Sequence, residues 1–118
     1  MGFNDELRDR TKKFALRVIK LFRSLPKTEE AKIIGRQLLR SGCSVGANLR
    51  AATRARSKAE YYSKLSIAVE EADESAFWME LLMESDIISE KKLLALYNEA
   101  IEITKILAVS RKTSKNNK

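Results

Sequence analysis

The sequence contains no histidine, one cysteine, one proline and four glycines among its 118 residues. Without histidine, the common zinc sites and the Glu-x-x-His pairs of di-iron helical bundles cannot form, so we predict no metal and no cofactor. The single cysteine, Cys43, excludes an intramolecular disulfide and fits a reducing compartment. Since no histidine is present to activate its thiol, we predict that the protein is not an enzyme.

Long apolar segments are missing as well. No stretch reaches the roughly 20 apolar residues that cross a bilayer, so no membrane association is predicted. The segment Met1 to Glu6 lacks the basic stretch and following apolar run of a secretory signal. Together with the lone cysteine, these absences predict a cytoplasmic protein.

The scarcity of proline and glycine predicts long helices. Apolar spacing and capping residues place four of them, the first capped by Asn4, at residues 5–24, 29–55, 58–84 and 90–110. Short connections make neighbouring helices antiparallel, which predicts an all-α, up-down-up-down four-helix bundle in one domain at residues 1–110. Residues 111–118 are polar and basic, so we predict a disordered tail there.

The second predicted helix has two opposite faces. Its core face carries five small or aliphatic residues, namely Ile34, Leu38, Val45, Leu49 and Ala52. If the helix is continuous, the opposite face carries six cations, namely Lys32, Arg36, Arg40, Arg50, Arg54 and Lys58. Like charges one turn apart repel, so this basic stripe is typical of a face that meets a phosphate backbone or an acidic surface. A solvated face without a partner is the alternative.

Three glycines, Gly35, Gly42 and Gly46, share one edge of the same helix. Each glycine costs a helix up to about 1 kcal/mol relative to alanine. Their alignment therefore predicts the close approach of another backbone.

The third predicted helix is acidic in a basic protein. Residues 59–90 hold nine acidic residues and one basic residue, although the whole chain has a net charge of +7. The helix also has apolar residues on two sides, which indicates a second surface to bury. We predict an oligomer interface formed by Ile67, Glu71, Glu74, Trp78 and Leu81.

Three motifs in order resemble one known family. They are GRQLLRSGCSVGAN at residues 35–48, RARSKAE at residues 54–60 and EEADESAFWMELL at residues 70–82. Together they are similar to the four-helix-bundle proteins of the 23S rRNA intervening-sequence (S23) family, over roughly residues 10–110. Many family members carry an acid where this chain has Ala51 and Ala52, which puts in doubt any polar contact at that point.

The resemblance implies an antiparallel bundle that assembles into a ring, commonly a pentamer, and it transfers no catalytic residue. Relatives act as accessory proteins of retroelement reverse transcriptases, so a reverse transcriptase is an implied partner. The leading hypothesis is a homo-oligomeric protein that binds RNA or DNA backbone or acts as an adaptor. The alternative is a protein interaction module in which the arginine stripe meets the acidic helix of a neighbouring subunit and has no nucleic-acid role.

Overall fold

The computed structural model describes residues 2–116, which form four helices and, within that range, no strand. The helices are α1 (Phe3–Ser24), α2 (Glu29–Thr53), α3 (Lys58–Glu84) and α4 (Glu90–Asn116). Each helix packs against the next along the chain, and α4 closes the arrangement against α1, where the contact is smallest. The molecule is an elongated body of 48 × 22 × 22 Å. The predicted all-α four-helix bundle is confirmed.

The first helix begins two residues earlier than predicted. Its cap is Gly2, whose amide donates to the Asp5 carboxylate at 3.4 Å, whereas Asn4 lies inside the helix. At the other end, Leu25 is extended, with φ −67° and ψ 148°. The pyrrolidine ring of Pro26 disfavours helical geometry in the preceding residue, and the helix therefore stops at Ser24 as predicted.

The second helix runs without interruption through its glycines but ends at Thr53, before the predicted Ala55. The Thr28 side chain caps it by accepting from the Ala31 amide at 3.3 Å. Arg54 is the C-terminal cap, and Lys58 is the first residue of α3. The basic stripe is therefore not carried by one continuous helix, because its last two members follow the end of α2.

The turn between α3 and α4 is closed by a left-handed residue, Asp86, with φ 60°. Aspartate tolerates this conformation better than most side chains, which explains an abrupt helix end without glycine. Ser57 caps the start of α3 by accepting from the Glu60 amide at 3.1 Å, as the capping-box spacing predicts.

The fourth helix continues to Asn116, so residues 111–116 are helical where a disordered tail was predicted. Arginine and lysine are good helix formers, and their charge is favourable beside the negative end of the helix dipole. Extending an existing helix also costs far less than starting one. The last two residues of the predicted tail, 117–118, lie outside the described residues.

The core is aliphatic with a small polar exception. Ser41 on α2 and Ser75 on α3 are both buried, and their hydroxyls lie 2.9 Å apart. The Ser75 hydroxyl also donates to the Glu71 carbonyl at 2.8 Å, and no buried side-chain polar atom among the described residues lacks a partner. Two small side chains therefore let α2 and α3 approach closely at this level.

The seam between α1 and α4 is joined by one ion pair. Arg10 donates through Nε and Nη2 to the two carboxylate oxygens of Glu99, both at 2.8 Å. This paired hydrogen bond lowers the pKa of the Glu99 carboxyl and raises the pKa of Arg10. Because the Glu99 pKa is lowered, the pair stabilises the fold at pH values above the ordinary pKa of glutamate. This contribution is lost as the pH falls through the pKa of Glu99 in the folded state.

Candidate nucleic-acid interface

The glycine edge of α2 packs against α1. A Cβ added to Gly42 would lie 2.9 Å from both methyl carbons of Val18, and one added to Gly46 would lie 3.5 Å from the backbone of Thr11. The close approach predicted from the three glycines is therefore made to α1. It places cations of α1 beside those of α2 on one outer surface, which we call the α1–α2 face.

One basic groove lies on this face near the end of α2, and we call it the Arg50 groove. It has a volume of about 410 Å³. Its lining combines four cations with two acids and four small residues, namely Arg8, Lys12, Arg50, Arg54, Asp5, Asp9, Ala15, Cys43, Gly46 and Ala47. Two of the stripe residues predicted from the sequence are therefore brought together here with two cations of α1.

The acids of the Arg50 groove are already engaged. Asp5 pairs with Arg8, and hydrogen bonding from that guanidinium lowers the pKa of the Asp5 carboxyl. Asp9 accepts from Lys13 at 3.0 Å. The three remaining cations of the groove, Lys12, Arg50 and Arg54, have no ion pair within residues 2–116.

A second basic groove lies at the opposite end of the α1–α2 face, around the turn that contains Pro26, and we call it the Arg36 groove. It also has a volume of about 410 Å³. Four cations and four apolar residues line it, namely Arg23, Lys27, Lys32, Arg36, Phe22, Leu25, Pro26 and Ala31. None of these cations has an ion pair among the described residues. Four uncompensated positive charges therefore surround one apolar hollow.

Arg40 differs from the rest of the stripe because it is bound to α3. Its guanidinium donates to Glu71 Oε2 at 2.7 Å and also pairs with Glu74. Glu74 in turn accepts from the indole nitrogen of Trp78 at 3.0 Å. The acidic helix thus does meet the arginine stripe, but at one arginine and within the same chain.

The predicted interface on α3 is therefore divided. Glu71 and Glu74 face Arg40, and Trp78 is half-buried and packs against the core. Ile67 remains 37% exposed, and Leu81 is half-buried. Whether these residues contact another subunit stays a prediction.

Sequence reasoning missed Phe77 on the same helix. Its ring is 49% exposed and meets Trp78 edge to face, with centroids 5.0 Å apart. The only signal for Phe77 in the sequence was its position next to Trp78, which was selected. The exposed ring adds to the apolar surface of α3.

Lys58 is exposed at the start of α3, beyond the turn that follows Arg54. It does not line either basic groove of the α1–α2 face; it lies with Phe3, Tyr61 and Val109 at a different hollow. The structure therefore separates it from the other predicted contacts.

The described residues provide neither a reactive thiol nor a cluster of metal-ligating side chains. Cys43 is half-buried, and burial raises the pKa of its thiol, which keeps the sulfur protonated at neutral pH. Within residues 2–116, no three metal-ligating side chains come together, and none of the helices has the length and apolar character that crossing a bilayer requires.

The comparison with known families identifies the chain. The model of the family described as 23S rRNA-intervening sequence protein matches residues 5–109. The chain belongs to this family. A similar solved structure is a protein of unknown function from the S23 ribosomal protein family of Bacteroides thetaiotaomicron VPI-5482, with 35% sequence identity and a TM-score of 0.86. The match covers 92% of this chain and 97% of that one.

No match was found among curated proteins. The similar S23 family protein is itself described as having an unknown function. The comparisons therefore establish the family and the fold of this chain.

Proposed function

We propose that this family member is a non-catalytic, homo-oligomeric protein that binds the phosphate backbone of nucleic acid through the α1–α2 face. The observation that carries the proposal is the set of seven cations without an ion pair in the two grooves, namely Lys12, Arg23, Lys27, Lys32, Arg36, Arg50 and Arg54. So many like charges on one face repel one another, and a polyanion relieves that repulsion.

Arginine is well suited to this task. Its planar guanidinium offers paired hydrogen bonds to phosphate oxygens and stays charged at any physiological pH. Contacts with phosphate carry no sequence information, so binding should depend weakly on sequence. Each neutralised phosphate releases condensed counterions, which makes the affinity strongly dependent on salt.

The salt dependence gives a direct test of the proposal. Fluorescence anisotropy with labelled RNA and DNA should show the affinity falling about 10³-fold between about 50 and about 200 mM salt. The variant Arg50→Gln/Arg54→Gln should bind more weakly, and its plot of log affinity against log salt should be shallower by about two. Circular dichroism of each variant checks that the fold is retained.

A matched control removes two exposed cations elsewhere. Lys105 and Lys112 are exposed on α4 and line neither basic groove. The variant Lys105→Gln/Lys112→Gln lowers the net charge by the same amount and should keep the wild-type salt slope. Absence of binding at low salt, or equal losses in both double variants, would refute the proposed interface.

Self-association is part of the proposal and is supported by the outer surface of α3. Phe77 and Ile67 are exposed there, and Trp78 is only half-buried. Large apolar residues clustered on one outer face are typical of a surface that another protein covers. The number of subunits is measured by light scattering of the intact chain.

A protein interaction module is the second candidate, and the contact of Arg40 with Glu71 and Glu74 favours it. This contact shows that acidic α3 is a suitable partner for the stripe. In such a module, Arg36 and Arg54 would meet the acidic helix of a neighbouring subunit. Arg36→Glu or Arg54→Glu would then dissociate the oligomer, as measured by light scattering. The unmodified protein would not bind nucleic acid in this case.

Comparing Arg36 with Arg40 separates their roles. We expect Arg36→Gln to weaken nucleic-acid binding about 3- to 10-fold, because it removes one phosphate contact. We expect Arg40→Gln to change binding by less than about twofold and stability by less than about 1 kcal/mol, since its exposed ion pairs are within the chain. Anisotropy and urea denaturation measure the two effects. Equal binding losses would show that Arg40 also contacts the ligand.

A further inference from the structure

The two basic grooves lie at opposite ends of one straight element. Lys32 and Arg36 stand near the start of α2, whereas Arg50 lies in its last turn and Arg54 caps it. At about 1.5 Å per residue, the segment of α2 from Lys32 to Arg50 is about 27 Å long. Because the helix is uninterrupted and packed along α1, the two cation clusters are held at a fixed separation.

The part of α2 between the two cation clusters carries little positive charge that a ligand could contact. Between Arg36 and Arg50, α2 carries one charged residue, Arg40, and its guanidinium is bound to acids of α3. Three cations of α1 stand between Lys12 and Arg23 in the sequence and line neither groove, namely Lys13, Arg17 and Lys20. Lys13 pairs with Asp9 at 3.0 Å. The cations that line the grooves are therefore grouped at the two ends of the face.

The face also lacks a platform for unpaired bases. Proteins that hold single strands usually stack the bases on exposed aromatic rings. The only aromatic residue that lines either groove is Phe22, which is half-buried and lies against Gly35. A face that offers phosphate contacts at a fixed separation suits a stiff ligand, and a duplex is stiff over about 50 nm.

We infer that the two grooves hold one double-stranded nucleic acid at two points about 27 Å apart, so that tight binding requires a minimum duplex length. This inference rests on the proposed function and names its substrate class. At about 3.4 Å per base pair, the separation corresponds to about eight base pairs. A shorter duplex reaches one groove, whereas a longer duplex reaches both. The second contact then raises the affinity without a second loss of translational and rotational entropy.

The test measures affinity against duplex length. Anisotropy is recorded with labelled RNA and DNA duplexes from about 4 to about 20 base pairs, at one low salt concentration. We expect the affinity to rise at least about tenfold between about 6 and about 10 base pairs, and only gradually beyond. Lys32→Gln/Arg36→Gln and Arg50→Gln/Arg54→Gln should each abolish that step, whereas Lys105→Gln/Lys112→Gln should keep it.

Four outcomes would overturn this inference, and they differ in meaning. Absence of binding at every length would remove the proposed function as well. Binding that grows smoothly with length, or a step that survives in both groove variants, would retain a phosphate-binding protein and exclude the two-point grip. A step seen with single strands and absent with duplexes would show that the ligand class is wrong.

Discussion

Replacing Phe14 with alanine is expected to lower the free energy of unfolding by about 3–5 kcal/mol, the usual loss for a buried phenylalanine. Phe14 is 1% exposed and belongs to the core cluster formed by all four helices. The substitution removes a whole ring and leaves a cavity that rigid neighbouring helices cannot fill. Since domains of this size have total stabilities of about 5–15 kcal/mol, the variant should be close to unfolding.

Urea denaturation followed by circular dichroism measures this loss, and Leu16 provides the control on the same helix. Leu16 is 56% exposed, so Leu16→Ala should change the free energy of unfolding by less than about 0.5 kcal/mol. Similar losses in the two variants would mean that α1 does not bury the side that carries Phe14, or that Leu16 is covered in an oligomer. Repeating the measurement at several protein concentrations distinguishes these cases, because only the second depends on concentration.

The position of Phe14 in the core could be predicted because helical spacing links it to Leu7 and Val18, which are also buried. The same argument placed Leu38, Val45 and Leu49 in the core. Each of these predictions needs only the period of one helix and the low glycine and proline content. The four-helix bundle was therefore predictable from local patterns, and the short connections determined the antiparallel order.

Helix ends were predictable where a strong local signal exists. Pro26 stops α1, and Ser57 caps α3. Asn4 was a reasonable cap, but the helix begins earlier because Asp5 accepts from the Gly2 amide. At the C-terminus, the composition of residues 111–116 suits both a solvated tail and an exposed helix. Composition alone does not distinguish a chain that continues an existing helix from one that frays.

The grooves depend on how the helices are aligned with one another, which no single-helix pattern contains. Lys12 and Arg23 join the basic stripe of α2 only because the glycine edge brings α1 beside it. Arg40 is not available to a ligand because it is paired with Glu71 and Glu74 on α3. Sequence reasoning recognised the stripe and the acidic helix but could not tell which arginine the acids would bind.

The two faces of the protein therefore have different physical characters. Glu71 and Glu74 of α3 pair with Arg40 within the chain. The exposed side of the helix carries the apolar residues Ile67 and Phe77 beside acids such as Glu70. The cations of the α1–α2 face are not satisfied, so that face requires an anionic partner or solvent. The proposed oligomer, if built through α3, would leave the α1–α2 face of every subunit accessible, and binding to several grooves at once would raise the apparent affinity.

Replacing Gly42 with leucine is expected to lower the free energy of unfolding by about 2–3 kcal/mol, because overpacking outweighs the better helix propensity of leucine. Even a Cβ at this position would lie 2.9 Å from both methyl carbons of Val18, which is fully buried and stiff at χ1. The longer side chain therefore pushes α1 away from α2. This movement separates Lys12 from Arg50 without removing a charge, so nucleic-acid binding should weaken along with stability.

Gly46→Ala is the matched control for Gly42→Leu, because its added Cβ would meet Thr11 only at ordinary contact distance, 3.4 Å or more. It should stabilise the protein by up to about 1 kcal/mol, the gain in helix propensity. Combining Gly42→Leu with Val18→Ala should give a smaller loss than the sum of the single losses, since the alanine makes room for the leucine. Strictly additive losses in urea denaturation would show that the two residues are not in contact, and that the α1–α2 face is built differently.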